Sequence, residues 1–400
     1  MEYASMRDER DLTVLLLAGG RSEKLEKLSG GVQKTFIEIL GRPIIEHVIN
    51  GLKDSIQSRI RRIILVSDRR DLAEPLASRY NDSRVVFVEQ REHGVSGAYR
   101  AGFDLVDERD RIVLVVYGDI VADKNVYSSI LLAGEDYLGK DDFGGIFLGV
   151  AEKPRKNHWL MDVDESGIVR EIMPSTIRGY GYIAGGIYLV RNSFSRYLRD
   201  HSDIASAFRE YVKDFKVRIL PWGHYWVDIG SPWDLLEASY RILSTLRSSS
   251  ISRSSRISPH AVIEGPVIID EEAEIDHNVI IRGPAYIGRR AFIGAYSFIR
   301  SYSSIERNVF ISSYSEINRS VILPEATIGR GCYIGYSVIG FGSVVEPGVI
   351  TKNILQQRVE EAMRIVSRGR EYSKLGSIIY SKARVYAGRI LEAGEEVEID

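Results

Sequence analysis

Ile257-Ser-Pro-His-Ala261-Val-Ile263-Glu-Gly-Pro-Val267-Ile-Ile269-Asp-Glu-Glu-Ala273-Glu-Ile275 opens a ladder in which isoleucine returns at every sixth residue as far as Ile317, eleven times without a miss. A second ladder runs four residues behind each rung: Ala261, Val267, Ala273, Val279, Ala285, Ala291, Ser297, Ser303, Val309, Ser315 and Val321. All of these are small. A period of six is neither the 3.6 of a helix nor the 2 of an alternating strand. It marks a parallel β-helix built from hexapeptide turns, each Ile filling the interior of a short strand and each small partner fitting where the chain turns a corner.

Downstream the ladder runs to Leu323, slips by one residue to Ile328 and Ile334, and slips again to Ile339 and Val345. Residues 351–375 interrupt it, and within them Ile354–Arg368 is expected to be helical. The spacing returns at Ile379, Val385, Leu391 and Val397. The interruption is read as a loop thrown out from the solenoid. The single cysteine, Cys332, lies on the ladder, where it suits a small buried filler. Upstream, the Ser- and Arg-rich stretch 247–256 reads as a linker. Residues 257–400 are thus expected to form the β-helix and residues 1–246 a separate domain.

Residues 12–120 alternate apolar strands (Thr13–Leu17, Ile63–Val66, Val85–Val88, Val113–Tyr117) with amphipathic helices near Pro43–Ser58, Asp71–Arg79 and Gly97–Val106. That alternation predicts an α/β layer with a mostly parallel sheet covered on both faces. Residues 143–226 form a mixed region with strands near Gly145–Val150 and Gly186–Val190. A helix near Pro232–Leu246 closes it.

Net charge over the 400 residues is −2, so no overall field points to nucleic acid or membrane. The start, Met1-Glu2-Tyr3, lacks the basic and apolar regions of a signal peptide. Apolar runs such as Val14–Ala18 are far shorter than the roughly 20 residues a bilayer span needs. The chain is expected to be cytoplasmic.

The first strand ends in Leu17-Ala18-Gly19-Gly20, followed by Arg21, Lys24, Lys27 and Lys34. A Gly-rich turn after a buried strand lets backbone N–H groups approach a polyphosphate, and lysines can neutralise its charge. An ordinary strand–helix turn with solvated lysines would look the same. Two further segments narrow the choice. Val113–Gly118-Asp119 ends a strand in a carboxylate, at the edge where open parallel sheets place ligands. Trp226-Val-Asp228-Ile-Gly230-Ser-Pro232 supplies a second carboxylate before a helix. Two carboxylates converging on triphosphate oxygens are what Mg²⁺ requires. A turn Asp at 119 and a capping Asp at 228 are the plain alternatives.

With these segments in hand, residues 12–245 resemble the sugar-1-phosphate nucleotidylyltransferases. The resemblance is carried by Leu17–Gly20 with Lys34, Gln90 with Gly94 to Ala98, Gly118-Asp119, Glu152-Lys153-Pro154, Gly185-Gly186-Ile187-Tyr188, and Trp226 to Pro232 with Glu237-Ala238. It implies a Rossmann-like nucleotidyltransferase domain. Asp119 and Asp228 would hold Mg²⁺. Lys24 and Lys34, with the Leu17, Ala18, Gly19, Gly20 and Arg21 backbone, would bind the triphosphate. Gln90 and Gly94 would face the base, and Glu152, Lys153 and Gly186 the sugar phosphate. The implied partners are a nucleoside triphosphate and a sugar-1-phosphate. The whole chain is similar to the archaeal bifunctional type, which adds a left-handed parallel β-helix acetyltransferase and implies a homo-oligomer, a trimer or a multiple of one.

The sequence departs from that pattern. Ser22 stands where the family has Gly, a position expected to strain a non-glycine residue by about 1 kcal/mol or more. Lys24 replaces an arginine and loses its bidentate fork. Glu23 adds a negative charge, and Gln33 stands for proline. In the β-helix, Arg330 occupies the place of the acetyl-transfer histidine and cannot accept a proton. Tyr333 and Asn353 do match, but no histidine follows His277. His260 and His277 read as surface or inter-subunit residues. Phe298, Tyr302, Phe310, Tyr314, Tyr333, Tyr336 and Phe341 decorate the coils as packing residues or as a cleft. The sequence therefore supports an Mg²⁺-dependent nucleotidylyltransferase on an oligomeric scaffold, with a degenerate regulatory subunit as the competing reading. Acetyl transfer is the weakest expectation.

Overall fold

A computed structural model describes residues 12–80, 84–135, 137, 140–156, 158–176, 181–355, 363–367 and 370–399. The chain divides into two compact units that do not follow chain order: Met1–Gly20 with Ile45–Asp228, and Arg21–Ile44 with Ile229–Asp400.

Up to the end of the α/β region the elements are β1 (Leu12–Leu17), α1 (Glu23–Ser29), β2 (Glu38–Ile39), β3 (Arg42–Pro43), α2 (Ile44–Ile56), β4 (Ile60–Ser67) and α3 (Arg70–Arg79). There follow β5 (Val85–Glu89), α4 (Gly94–Phe103), β6 (Ile112–Tyr117), β7 (Ile120–Ala122), α5 (Asn125–Glu135) and β8 (Phe143–Val150). Last come β9 (Trp159–Val163), β10 (Val169–Pro174), β11 (Tyr182–Arg191), α6 (Phe194–Asp200), α7 (Ile204–Asp214), β12 (Lys216–Trp222), β13 (Trp226–Asp228) and α8 (Pro232–Ser244).

In the first unit the sheet runs β10-β9-β11-β6-β1-β4-β5, with β8 beside β11 and β12 beside β8. β6, β1, β4 and β5 are parallel neighbours. β1, apolar but for Thr13, is buried at every position, as a strand covered on both faces must be. The sheet is less parallel than the alternation predicts: β11 lies antiparallel to β6, β8 and β9, and β9–β10 is an antiparallel hairpin. Leu17 pairs with Tyr117, so the carboxyl ends of β1 and β6 emerge side by side. Gly118 N donates to Leu17 O at 2.8 Å.

The second unit is the β-helix. Three stacks of two- and three-residue parallel strands form its faces, and residues eighteen apart stack rung on rung, as Ile257 on Ile275 and Ile281 on Ile299. The inward isoleucines from Ile269 to Ile339 are at most 2% exposed. Each fully buried Ile contributes about 1.5–3 kcal/mol of transfer free energy. The second ladder explains itself at the corners: Ser303 Oγ donates to Ile317 O and Ser315 Oγ to Gly329 O, satisfying carbonyls that a larger side chain would cover.

Three expectations change here. The first slip comes one residue earlier than Leu323: Ile322 pairs with Ile305 and Ile339 and lies in the core, five residues after Ile317. The shortened corner carries Arg319 at φ 47°. Next, the stretch 247–256 is not purely a linker. Ser250–Ile251 pairs with Val267–Ile269 and Arg256 with Glu274, so the first coil begins inside it. Finally, the described residues of the 351–375 insert are not helical. Met363–Ser367 and Arg370–Lys374 pair as antiparallel strands, and Ile354 bridges to Lys374. The β-branched pair Ile365 and Val366 favours a strand over the helix that the nearby Gln and Glu residues suggest. Residues 356–362 lie outside the described residues.

Segment 21–44 belongs to this unit through specific contacts. Phe341 N donates to Leu28 O and Ser381 N to Lys27 O. Buried Glu306 accepts from Leu40 N at 2.8 Å and Gly41 N at 2.9 Å, and Arg307 pairs with Glu38 at 2.8 Å. α8 lies on the coils through Tyr240, whose ring centroid is 4.6 Å from that of Tyr302. No described helix of the chain is long and apolar enough to cross a membrane.

Candidate functional site

β7 and β13 form a two-stranded antiparallel ribbon in which Trp226 faces Ala122, Val227 faces Val121 and Asp228 faces Ile120. Asp228 therefore lies across from the residue that follows Asp119. Asp119 is buried, at 8% exposure, and Asp228 is partly buried. Gly118, just before Asp119, packs closely on β1 and α2: a Cβ there would meet Leu17 O at 3.0 Å and the Ile45 side chain at 3.1 Å. After Asp228, Gly230 N, Ser231 N and Ser231 Oγ all donate to Asp234 Oδ2, a capping box that starts α8 at Pro232.

Gly186 joins the same group. It sits at φ 73° within β11, and a Cβ there would lie 2.8 Å from Ile120 Cγ1. Its N–H donates to Tyr188 Oη at 3.3 Å, and Trp226 Nε1 donates to Gly185 O at 2.8 Å. Behind the carboxylates lie Tyr117, Tyr99 and Tyr188. Burial pushes the Tyr117 phenol up to about 12; Asp119 and Asp228 push in the same direction, against the Tyr99 hydrogen bond. Tyr117 is accordingly a neutral wall of the site.

The turn after β1 meets the loop after β5. Gln90 is buried; its Nε2 donates to Glu92 O at 2.6 Å and Gly94 O at 2.7 Å. Its Oε1 packs on Gly19, where a Cβ would come within 2.5 Å. Gly94, at φ 85°, opens α4. Leu17 to Gly20, Gln90 and Gly94 are thus one structural group.

Glu152 and Lys153 lie exposed on the loop between β8 and β9. That loop ends in a residue the sequence reading passed over. His158 is buried; its Nδ1 accepts from Arg155 N at 3.1 Å and its Nε2 lies 3.3 Å from Asp228 Oδ2. Its ring stands edge-on to Trp226, centroids 5.9 Å apart and planes at 70°. The available signal was weak, one histidine six residues after Glu152.

Arg21, Lys24 and Lys34 belong to the second unit. Arg21 is exposed. The basic loop is largely the helix α1, and Lys24 Nζ pairs with Glu396 at 2.8 Å. Ser22 is not strained. It sits at φ −140°, extended backbone open to any residue, and Gly20 carries the positive φ of the turn at 126°. Lys34 opens a 3₁₀ turn, Lys34–Phe36. In the β-helix the Arg330 guanidinium lies 4.9 Å from the Tyr314 ring, and Tyr333 Oη accepts from Asn353 Nδ2 at 2.8 Å.

The family model for nucleotidyl transferase matches residues 13–245, more than half of the chain. The chain belongs to the nucleotidyl transferase family. A second model, the GMPPB C-terminal domain, matches residues 281–385. Among similar proteins are the "Bifunctional protein GlmU" of Methanocaldococcus jannaschii, 26% identical over 249 residues, and the "Bifunctional sugar-1-phosphate nucleotidylyltransferase/acetyltransferase" of Sulfurisphaera tokodaii, 27% over 244. Each match covers 59% of this chain and 56% of the relative. A "Putative mannose-1-phosphate guanyltransferase" of Sulfolobus acidocaldarius is 24% identical over 241 residues, covering 58% of this chain and 64% of that one. The chain spans a little over half the length of the first two relatives.

Within this nucleotidyl transferase domain the donor set suits a hard cation. Among the described residues no three His, Cys, Asp or Glu side chains cluster as a metal cage. Two carboxylates at one strand edge are what Mg²⁺ uses when phosphate and water oxygens complete its shell.

Proposed function

We propose that the chain is a sugar-1-phosphate nucleotidylyltransferase that uses Mg²⁺. The observation that supports this most directly is the β7–β13 register, which sets Asp228 opposite Ile120 beside buried Asp119, at the sheet edge from which the Leu17–Gly20 turn emerges. Bound Mg²⁺ would neutralise triphosphate charge at Asp119 and Asp228. The backbone of Gly19 and Gly20 approaches the phosphates. Gln90 and Gly94 shape the wall for the base, and Glu152, Lys153 and the tight turn at Gly186 bound the sugar side. A phosphate oxygen of the sugar-1-phosphate attacks the α-phosphorus in line, the new P–O bond forms, the α–β bridging bond breaks, and pyrophosphate leaves with the electron pair. Catalysis rests on positioning and charge neutralisation, with no covalent intermediate on the protein.

The β-helix serves in this reading as a homo-oligomeric scaffold, a trimer or a multiple of one. Support comes from exposed aromatic side chains on its coils, with Tyr296 56%, Tyr314 53% and Phe310 45% exposed. A second reading, a nucleotide-binding subunit without turnover, is favoured by the engagement of Lys24 with Glu396.

The test is pyrophosphate release with Mg²⁺ from four nucleoside triphosphates against glucose-, glucosamine-, N-acetylglucosamine- and mannose-1-phosphate. Turnover that Asp119→Asn abolishes, in folded protein, supports the enzyme. Silence across the matrix sinks it and leaves the second reading.

A further inference from the structure

We infer that His158 is a positioning residue that couples the sugar-side loop to the carboxylate of Asp228. The inference rests on the nucleotidylyltransferase reading of the site.

The proton position follows from the hydrogen bonds. Nδ1 accepts from Arg155 N at 3.1 Å, so in the neutral ring the proton sits on Nε2. That Nε2 is buried, lies 3.3 Å from Asp228 Oδ2, and has no well-aligned hydrogen-bond partner. A buried donor held just short of alignment calls for an explanation. The ring cannot swing freely to find another acceptor, because the Trp226 indole stands against it and is itself tied to Gly185 O. A small movement of either Asp228 or the 151–158 loop completes the contact.

The loop that carries His158 also carries Glu152 and Lys153, and it is stiff at its far end. Ser175 Oγ donates to Arg155 O at 2.6 Å and Ser175 N to His158 O at 2.9 Å. These bonds tie the loop to the end of the β9–β10 hairpin. A ligand held by Glu152 and Lys153 thus acts on a short, braced segment whose other end points at Asp228. Aligning the Nε2–H with Oδ2 orients the carboxylate toward a bound cation, the arrangement by which outer-sphere donors tune metal ligands. Sugar phosphate and metal then bind cooperatively, and reciprocally so.

The test uses the full chain and Mn²⁺ as the probe, followed by electron paramagnetic resonance with ATP, GTP, UTP or dTTP present, with and without each of the four sugar-1-phosphates. His158→Phe keeps a ring against Trp226 and removes the donor. His158→Gln restores an N–H near the ε position. Circular dichroism and thermal unfolding establish that both variants fold. In the wild type a sugar-1-phosphate is expected to tighten Mn²⁺ binding severalfold. His158→Phe weakens Mn²⁺ roughly tenfold or more, as outer-sphere substitutions do, and abolishes the coupling; His158→Gln recovers much of both. Equal Mn²⁺ affinity and equal coupling in His158→Phe overturn the inference while leaving the nucleotidylyltransferase reading intact. Mn²⁺ binding in the wild type without coupling to any sugar-1-phosphate overturns it too. A wild type that binds no Mn²⁺ with any triphosphate overturns the functional reading, and this inference with it.

Discussion

Glu306→Gln should remove the pH dependence of one part of the second unit's stability. Glu306 is fully buried in the β-helix and holds the tip between β2 and β3 through Leu40 N and Gly41 N. Ser304 Oγ donates to the same carboxylate. Burial pushes its carboxyl up from 4.5 to about 7, against the pull of the Ser304, Gly41 and Leu40 donors, and Glu38 pushes it further up. Between those two values the folded protein keeps a proton that the unfolded chain has released. Its contribution is fully present below pH 4.5 and is lost as pH rises through 7. At roughly 1.4 kcal/mol per pH unit, a separation of about 2.5 corresponds to about 3 kcal/mol. Glutamine cannot ionise; it keeps one carbonyl acceptor but turns an amide N–H₂ toward the second backbone donor. That mismatch costs about 1–3 kcal/mol at any pH. The wild type should therefore be the more stable near pH 4.5 and lose its advantage by pH 8, with parity or reversal at the upper end. Urea midpoints of the two proteins at matched pH values read this directly, because all other titrating groups cancel in the difference. A difference that stays constant from pH 4.5 to 8, or that widens in favour of the wild type, refutes the reasoning.

Ile299→Ala removes a fully buried rung between Ile281 and Ile317; it should cost about 2–5 kcal/mol in urea unfolding, and a cost under about 1 kcal/mol would mean the coil closes the gap. Gly186→Ala places a Cβ 2.8 Å from Ile120 at φ 73°, so turnover should fall at least tenfold, checked by pyrophosphate release beside circular dichroism that shows the sheet intact. Glu396→Gln breaks an exposed ion pair with Lys24; such pairs contribute about 0–1 kcal/mol, so thermal unfolding should shift by no more than a few degrees, and a larger loss would assign the pair a structural role.

The two halves of the fold were legible to different degrees, for physical reasons. Eleven isoleucines at a fixed period leave one architecture, because only a repeating coil returns a residue to the interior every sixth position. The slip at Ile322 was not legible. Ile322 and Leu323 are both apolar, and the choice is made by a corner that loses one residue around Arg319. The hairpin of Met363–Ser367 and Arg370–Lys374 was hidden by helix-forming neighbours, since propensity is a weak guide where pairing supplies the hydrogen bonds. In the α/β region the strands that are apolar throughout stood out, and so did Asp119 at the end of one of them. Asp228 was legible as a candidate, but its place across from Ile120 depends on a two-stranded ribbon joining residues about a hundred positions apart. His158 was barely legible, because its significance lies in what Nε2 faces more than in its spacing from Glu152.

The division of the chain into units groups segment 21–44 with the β-helix. A solenoid that served only to assemble copies would need no hold on the amino-terminal region. Here the coils grip segment 21–44 by four separate means: Glu306 on the Leu40–Gly41 amides, Arg307 on Glu38, Glu396 on Lys24, and backbone bonds from Phe341 and Ser381 to Leu28 and Lys27. The partners lie hundreds of residues apart in sequence, and Gly41 fits only because it lacks a side chain: a Cβ there would fall 2.1 Å from Tyr286 Oη. This is the segment that continues from the Leu17–Gly20 turn and bears Lys24 and Lys34, the two lysines that the family resemblance assigns to triphosphate. Their backbone is set by the coils, through bonds that include one buried carboxylate. Damage to the β-helix at Glu306 or in the last coil should therefore loosen the backbone that bears Lys24 and Lys34, and the β-helix is a frame for that segment as well as a stack of coils.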